Sequence, residues 1–103
     1  MNGNSNTIKG VSSLSNGADG FRVTGTGNLF DSNKAYKNTG VGFNVYASAT
    51  GTKLKSNASN TGNSGSSNEN KSYEYKFAVA ITNLGGNKKD NVSFGASASG
   101  NYE

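Results

Sequence analysis

The sequence predicts an all-β fold in which short parallel strands wind into a solenoid of about three to four coils of roughly 22 residues each. The main observation is a motif that returns at a fixed interval. Residues 20–23 read Gly-Phe-Arg-Val, residues 42–45 read Gly-Phe-Asn-Val, and the interval is 42 − 20 = 22. Asn16, Asn38 and Asn60 follow one another at the same interval. A fixed period of this size is typical of repeated units that bury their apolar side chains only by stacking on one another.

Composition permits such an array but gives it a thin core. The 103 residues include 15 glycines and only 31% hydrophobic residues, a balance that is also typical of disordered chains. A solenoid needs few inward positions per coil, so the low apolar content remains compatible with folding. The chain has no cysteine and no histidine, which excludes disulfides, zinc sites, thiol chemistry and histidine-based triads.

Within each coil, apolar and polar residues alternate with the period of two expected of strands that bury one face. We expect three strands per coil and no helix, because the segments between strands are short and rich in glycine. Glycine and asparagine occupy the corners, where positive φ costs least. The predicted vertical stacks are Phe21–Phe43–Phe77, Val23–Val45–Val79 and Ile8–Phe30–Leu54.

The corner asparagines are expected to form ladders in which each side-chain amide hydrogen-bonds to the amide of the next coil. Two ladders are predicted. One places Asn33 over Asn57, and the other places Asn16 over Asn38 over Asn60.

The largest break in the period is a polar low-complexity tract that predicts an insertion between coils. A slip of two residues at 47–50 and a deletion of one residue near Ala58 are smaller breaks. We assign residues 1–103 to a single β-helical domain or a fragment of one. The predicted parts are regular coils over 6–62, an inserted loop over 63–73, a final coil over 74–95 and a polar tail over 96–103. Residues 91–94 are expected to form the last strand, parallel like the others.

The motif of residues 20–23, followed by Gly-Asn-Leu-Phe-Asp-Ser-Asn-Lys-Ala-Tyr-Lys-Asn at 27–38, resembles the repeat of right-handed parallel β-helix proteins. It is most similar to pectate-lyase-like and alginate-epimerase-like enzymes that act on polyuronates. The resemblance covers residues 6–62 well and 75–94 loosely. It implies a secreted protein that binds or acts on an acidic polysaccharide, with calcium as a cofactor of the family. This sequence has no Asp-x-Asp cluster and no recognisable catalytic motif, so this segment, as the C-terminal coils of such a fold, is not expected to be catalytic alone.

Basic residues provide the first candidate surface for an acidic polysaccharide, in keeping with a net charge of +4. Lys34 and Lys37 flank Tyr36, and Lys53 and Lys55 follow later in the chain. If the period brings these residues to one face, the ammonium groups can pair with carboxylates while the ring stacks on a sugar. The alternative is that these lysines only solubilise an outer face.

A second candidate is the pair Tyr73 and Tyr75, which alternation points to the same side of the chain. The two rings could form a platform for a sugar, or they could pack as a lid over the inserted loop. Tyr36 and Tyr46 are open to the same two interpretations.

Two functions of other classes stay open. One is a structural solenoid that self-associates through its unpaired coil ends and has no enzymatic activity. The other is ice binding by a regular threonine array, although only Thr39 and Thr61 share the period. Arg22 is the single arginine, which disfavours specific nucleic-acid recognition. No apolar run is long enough for a membrane span and no signal peptide is recognisable, so an extracellular location follows from the resemblance alone.

Overall fold

The computed structural model describes residues 3–59, 70, 72–89 and 92–102, which form thirteen short strands and no helix. The first sheet contains β1 (Thr7–Lys9), β4 (Leu29–Asp31), β7 (Lys53–Lys55) and β10 (Thr82–Asn83). The second sheet contains β2 (Ser12–Leu14), β5 (Lys34–Tyr36), β8 (Ala58–Ser59), β11 (Lys88–Lys89) and β12 (Val92–Ser93). The third sheet contains β3 (Phe21–Val23), β6 (Phe43–Val45), β9 (Tyr75–Phe77) and β13 (Gly100–Tyr102).

The chain visits the three sheets in rotation, and we call each stretch that gives one strand to each sheet a circuit. Strands of successive circuits pair in parallel, and the first two circuits are in register at the predicted spacing in all three sheets. The predicted all-β, parallel-strand character is therefore confirmed. The predicted stack of Ile8, Phe30 and Leu54 is also present, in the first sheet.

Four aromatic rings stack in the core, three from the third sheet and one, Phe94, from the residue after β12. Phe21 lies on Phe43 with ring centroids 4.8 Å apart, Phe43 lies on Tyr75 at 5.1 Å, and Tyr75 lies on Phe94 at 4.2 Å. All three interplanar angles are 11° or less, so the rings are nearly parallel. Large aromatic side chains thus contribute apolar contact area to a narrow core.

Two of the predicted stacks are wrong at their third member. Tyr75, not Phe77, lies over Phe43, and Phe77 lies over Val45 in the place predicted for Val79. The insertion therefore shifts the third circuit by two residues relative to the prediction. A tyrosine is tolerated in this buried place because its hydroxyl donates a 2.8 Å hydrogen bond to the backbone carbonyl of Lys88.

Both predicted asparagine ladders are present, but some of their members differ from the prediction. The Asn33 backbone N–H donates to Asn57 Oδ1 at 3.0 Å, and Asn16 Nδ2 donates to Asn38 Oδ1 at 2.9 Å. Asn60 lies outside the described residues, and Asn38 Nδ2 donates to Asn70 Oδ1 instead, at 2.8 Å. The first ladder also continues beyond its predicted end, because Asn57 Nδ2 donates to Asn87 Oδ1 at 3.1 Å.

The C-terminal strands differ from the prediction of uniformly parallel pairing. Strand β12 lies in the predicted last strand but pairs antiparallel with β11, and β13 pairs antiparallel with β9. Residues 100–102 are thus a strand of the third sheet, where the sequence predicted a polar tail. The inserted loop predicted over 63–73 falls mostly outside the described residues.

Candidate functional site

The structure distributes the predicted lysine surface over two sheets. Lys34 and Tyr36 belong to β5 of the second sheet, and Lys37 follows directly with a left-handed φ of 58°. Lys53 and Lys55 belong to β7 of the first sheet. The interval from Lys34 to Lys53 is shorter than one full circuit, so the two side chains are not vertical neighbours. The lysines of β5 and β7 therefore lie on different sheets, and binding by either pair stays a prediction.

The two tyrosines of the second candidate surface have different environments. Tyr75 is fully buried in the ring stack, so it cannot serve as a platform for a sugar. Burial, and secondarily the neighbouring carboxylate of Glu74, raise the pKa of the Tyr75 hydroxyl well above its ordinary value of 10. Tyr73, two residues earlier, is half-buried. Tyr75 thus packs between Phe43 and Phe94 in the core, which is neither a sugar platform nor a lid over the loop, and the role of Tyr73 stays a prediction.

A shallow, open groove of about 240 Å³ lies on the outer face of the third sheet, lined by Asn44, Tyr46, Ala47, Lys76 and Ala78. Asn44 of β6 and Lys76 of β9 are vertical neighbours in it, because they pair in register. Strand alternation turns both outward, since Phe43 and Val45 on either side of Asn44 point into the core. Tyr46 follows β6 directly and exposes 36% of its surface.

An ion pair contacts two of the residues that line the groove. Arg22 is the vertical neighbour of Asn44, and its guanidinium carbon lies 5.8 Å from the centroid of the Tyr46 ring. Asp19 Oδ2 lies 3.5 Å from Arg22 Nε and accepts a 3.0 Å hydrogen bond from Asn44 Nδ2. Asp19 Oδ1 accepts the backbone N–H of Val41 at 2.9 Å. One carboxylate, fixed by the backbone, therefore positions both a cation and an amide.

These side chains offer three kinds of contact to a ligand. The exposed Tyr46 ring offers an apolar surface of the kind that stacks on the C–H face of a sugar ring. The Lys76 ammonium can pair with a carboxylate, whereas the Arg22 guanidinium is already paired with Asp19, and the Asn44 amide can hydrogen-bond to hydroxyl groups. A mostly apolar concave surface with a few convergent polar groups is the usual form of a ligand site.

The sequence did not predict this groove, although it contained part of the necessary information, the repeat spacing. Arg22 and Asn44 are separated by one full period and occupy the same place in their repeats. Lys76 lies beyond the insertion, at more than one period from Asn44, so the period alone cannot align it with the other two. The groove becomes visible only when the length of the insertion is known.

A separate polar cluster is sealed inside the molecule. Glu74 exposes only 1% of its surface, and its carboxylate accepts hydrogen bonds from the Ser59 hydroxyl at 2.8 Å and from Asn70 Nδ2. Asn70 in turn joins the ladder of Asn38. A buried carboxylate is stable only with such partners. The cluster therefore fixes the end of the insertion to the core, and it does not face the groove.

Residues 3–59, 70, 72–89 and 92–102 were compared with two further kinds of site. No three acidic, histidine or cysteine side chains converge there, and calcium, implied by the resemblance, stays a prediction. No helix there is long and apolar enough to cross a membrane. The chemistry of the groove is therefore the main guide to function, because the chain matches no family model, no curated protein and no solved structure.

Proposed function

We propose that this chain is part of a right-handed parallel β-helix that binds an acidic polysaccharide in the groove on its third sheet. The rotation of the chain through three sheets, whose strands pair in parallel from circuit to circuit, supports a helical winding. Crossover connections between parallel strands are right-handed in about 98% of cases, which supports the hand.

The observation that carries the proposal is that the exposed Tyr46 ring and the Lys76 side chain line the same groove. A uronate combines an apolar ring face with a carboxylate, and these two features match the Tyr46 ring and the Lys76 ammonium. Exposed ion pairs contribute only about 0.2–1 kcal/mol each, so one sugar would bind weakly. A polymer, which offers many equivalent sugars to one groove, is the ligand that fits best.

The proposal concerns binding and assigns no reaction to this segment. A lysine that acts as a general base needs burial or close cationic neighbours to lose its proton near neutral pH. Lys76 is exposed to water, and the buried carboxylate of Glu74 is shielded from the groove. An extracellular location stays a prediction that accompanies this ligand class.

The other functions have less support. Ice binding requires Thr39 and Thr61 to lie in one array, and Thr61 is outside the described residues. Growth into fibres through both ends of the molecule is disfavoured, because the described residues after β11 fold back over the C-terminal end.

The test is a titration with oligogalacturonate and oligo-alginate at low ionic strength, followed by calorimetry. We expect Lys76→Gln and Tyr46→Ala each to raise the Kd about 3- to 10-fold, the equivalent of roughly 1 kcal/mol. Added salt should weaken binding by the wild type, because the contacts are exposed and electrostatic. Lys53→Gln is the matched control, since it removes the same charge from the first sheet.

Two results would contradict the proposal. Absence of binding to either polymer at low salt would exclude the ligand class. Loss of affinity in Lys53→Gln with none in Lys76→Gln would move the site to the lysines of β7.

A further inference from the structure

The two faces of the Tyr46 ring have different surroundings. Tyr46 directly follows β6, which lies between β3 and β9 in the third sheet, so the ring has a neighbouring strand on each side. On the β3 side the Arg22 guanidinium lies over the ring, with its carbon 5.8 Å from the centroid, within the distance of a cation–π contact. Asp19 holds the guanidinium there through the 3.5 Å ion pair. This face of the ring is therefore already covered.

On the β9 side, the neighbour of Tyr46 is an alanine. Val45 pairs with Phe77, and the Ala78 N–H donates to the Val45 carbonyl at 2.8 Å, so the parallel pairing continues to Tyr46 and Ala78. Phe77 points into the core, so alternation turns Ala78 outward, where it is exposed. A methyl group fills little of the space beside the ring. The uncovered face of Tyr46 therefore borders the groove over Ala78.

The groove over Ala78 has room for about one sugar ring. Its volume is about 240 Å³, below the range of about 300–1,000 Å³ that is usual for sites of drug-sized ligands. Lys76 lies two residues before Ala78 on the same face of the chain, about 6–7 Å along the strand. A sugar ring in contact with Ala78 therefore has the ammonium group within reach of a substituent at its edge.

The amide beside Lys76 is fixed in orientation. Asn44 Nδ2 donates to Asp19 Oδ2 at 3.0 Å, so the amide nitrogen is directed toward the first circuit. The amide oxygen, an acceptor, is the atom that remains for a ligand hydroxyl. Because Asn44 and Lys76 pair in register, a neutral acceptor and a positively charged donor lie side by side. A hydroxyl group next to a carboxylate satisfies both, and a uronate carries these two groups on one ring.

We infer that one uronate residue of the polymer binds over Ala78, with the C–H face of its ring on the uncovered face of Tyr46 and its carboxylate on Lys76. The inference rests on the proposed function and adds to it the position and orientation of the bound sugar. It makes Ala78 a specificity-determining residue, because a larger side chain there would occupy the place of the sugar without changing any charge. Arg22, on the covered face, does not contact the sugar.

The first test compares alanine variants in a calorimetric titration with oligogalacturonate and oligo-alginate. Ala78→Leu fills the space over the groove and should raise the Kd at least about tenfold, whereas Ala78→Ser keeps that space and should stay within about threefold of the wild type. Ala80→Leu is the matched control, because Ala80 is exposed on the same segment and does not line the groove. Both positions are exposed, so circular dichroism should show the same fold in each variant.

The outcomes of this titration separate the inference from the proposed function. If neither polymer binds the wild type, the proposed function is wrong and the inference fails with it. If a polymer binds and Ala78→Leu binds it as tightly as Ala80→Leu does, the proposed function stands and the position over Ala78 is wrong.

The second test locates the sugar on the wild-type protein and needs no variant. In the complex with the oligomer that binds, sugar ring protons should show nuclear Overhauser effects to the Ala78 methyl group. The same protons should move upfield, because they lie over the Tyr46 ring. Effects from the sugar to the Arg22 side chain, with none to Ala78, would place the ligand on the covered face and overturn the inference.

Discussion

At the scale of single residues, the glycine that opens each Gly-Phe-x-Val motif is required by close packing. A Cβ atom at Gly42 would contact Ser59 Oγ and would lie 2.5 Å from the carbonyl oxygen of Glu74. A Cβ at Gly20 would lie 2.7 Å from the carbonyl oxygen of Gly42. Glycine recurs at this position because the backbones of successive circuits approach one another there. A Cβ atom would collide with backbone atoms, which cannot move aside as a flexible side chain can.

Gly42→Ala is therefore expected to destabilise the fold by about 1–3 kcal/mol, the usual cost of overpacking a core. Gly17→Ala is the matched control, because a Cβ there has no atom within 4 Å. We expect it to stay within about 0.5 kcal/mol of the wild type. Urea unfolding measures both, and equal stability of the two variants would show that Gly42 is not closely packed.

Tyr75 makes stability depend on pH in the alkaline range. Its folded-state pKa is raised above the unfolded value of 10, so the folded protein holds this proton more tightly than the unfolded chain. The stabilisation is complete below pH 10 and is lost as the pH rises further, at up to about 1.4 kcal/mol per pH unit. Thermal unfolding should show this loss in the wild type. Tyr75→Phe, which cannot ionise, should lose less stability over the same range; parallel curves would exclude the buried hydroxyl as the cause.

At the scale of elements, the ladders replace apolar packing at the corners between sheets. Asn57 is buried and forms three side-chain bonds: it accepts from the Asn33 N–H at 3.0 Å and donates to the Phe30 carbonyl and to Asn87. Such bonds satisfy backbone groups that a buried turn would leave without partners. Parallel strands of no more than three residues can therefore be joined by tight, fully bonded corners.

Asn57→Ala should cost about 2–4 kcal/mol, because it leaves at least two buried polar groups unsatisfied. The control is Asn101→Ala, which removes an exposed asparagine from β13 and should change stability by less than about 0.5 kcal/mol. Unfolding in urea compares the two. A loss of similar size in both variants would mean that the ladder contributes nothing specific.

The limits of the sequence prediction are also visible at this scale. The repeat spacing was sufficient to place Phe21 under Phe43 and Ile8 under Phe30. Beyond the insertion, Tyr75 and Phe77 both satisfy the inward alternation of β9, because a shift by two residues preserves the face of a strand. Only the length of the loop decides between them. For the same reason the sequence could not predict that Lys76 is the neighbour of Asn44 in the groove.

At the scale of the whole molecule, the groove is lined by side chains of two successive circuits. The parallel register of β6 and β9 makes Asn44 and Lys76 neighbours there, and Arg22 is the neighbour of Asn44 one circuit earlier. The ligand that we propose follows from this arrangement, because a net charge of +4 suits an anionic polymer and the exposed Tyr46 ring suits a sugar.

The segment is expected to bind without cleaving. Incubation with polygalacturonate or alginate, with and without calcium, should give no rise in the ultraviolet absorbance of an unsaturated product. The reason is that none of the described side chains combines burial, a proton-accepting group and access to the groove. A rise in absorbance that disappears in Lys76→Gln would contradict this and would make Lys76 a catalytic base.

The vertical register of the circuits is the claim on which both the groove and the ladders depend. It is tested most directly by nuclear Overhauser effects among the aromatic rings of the third sheet in solution. The ring protons of Phe43 should show effects to both Phe21 and Tyr75, whose centroids lie 4.8 and 5.1 Å away. Effects from Phe43 to Phe77 in the place of Tyr75, or none to Phe21, would contradict the register and with it the groove.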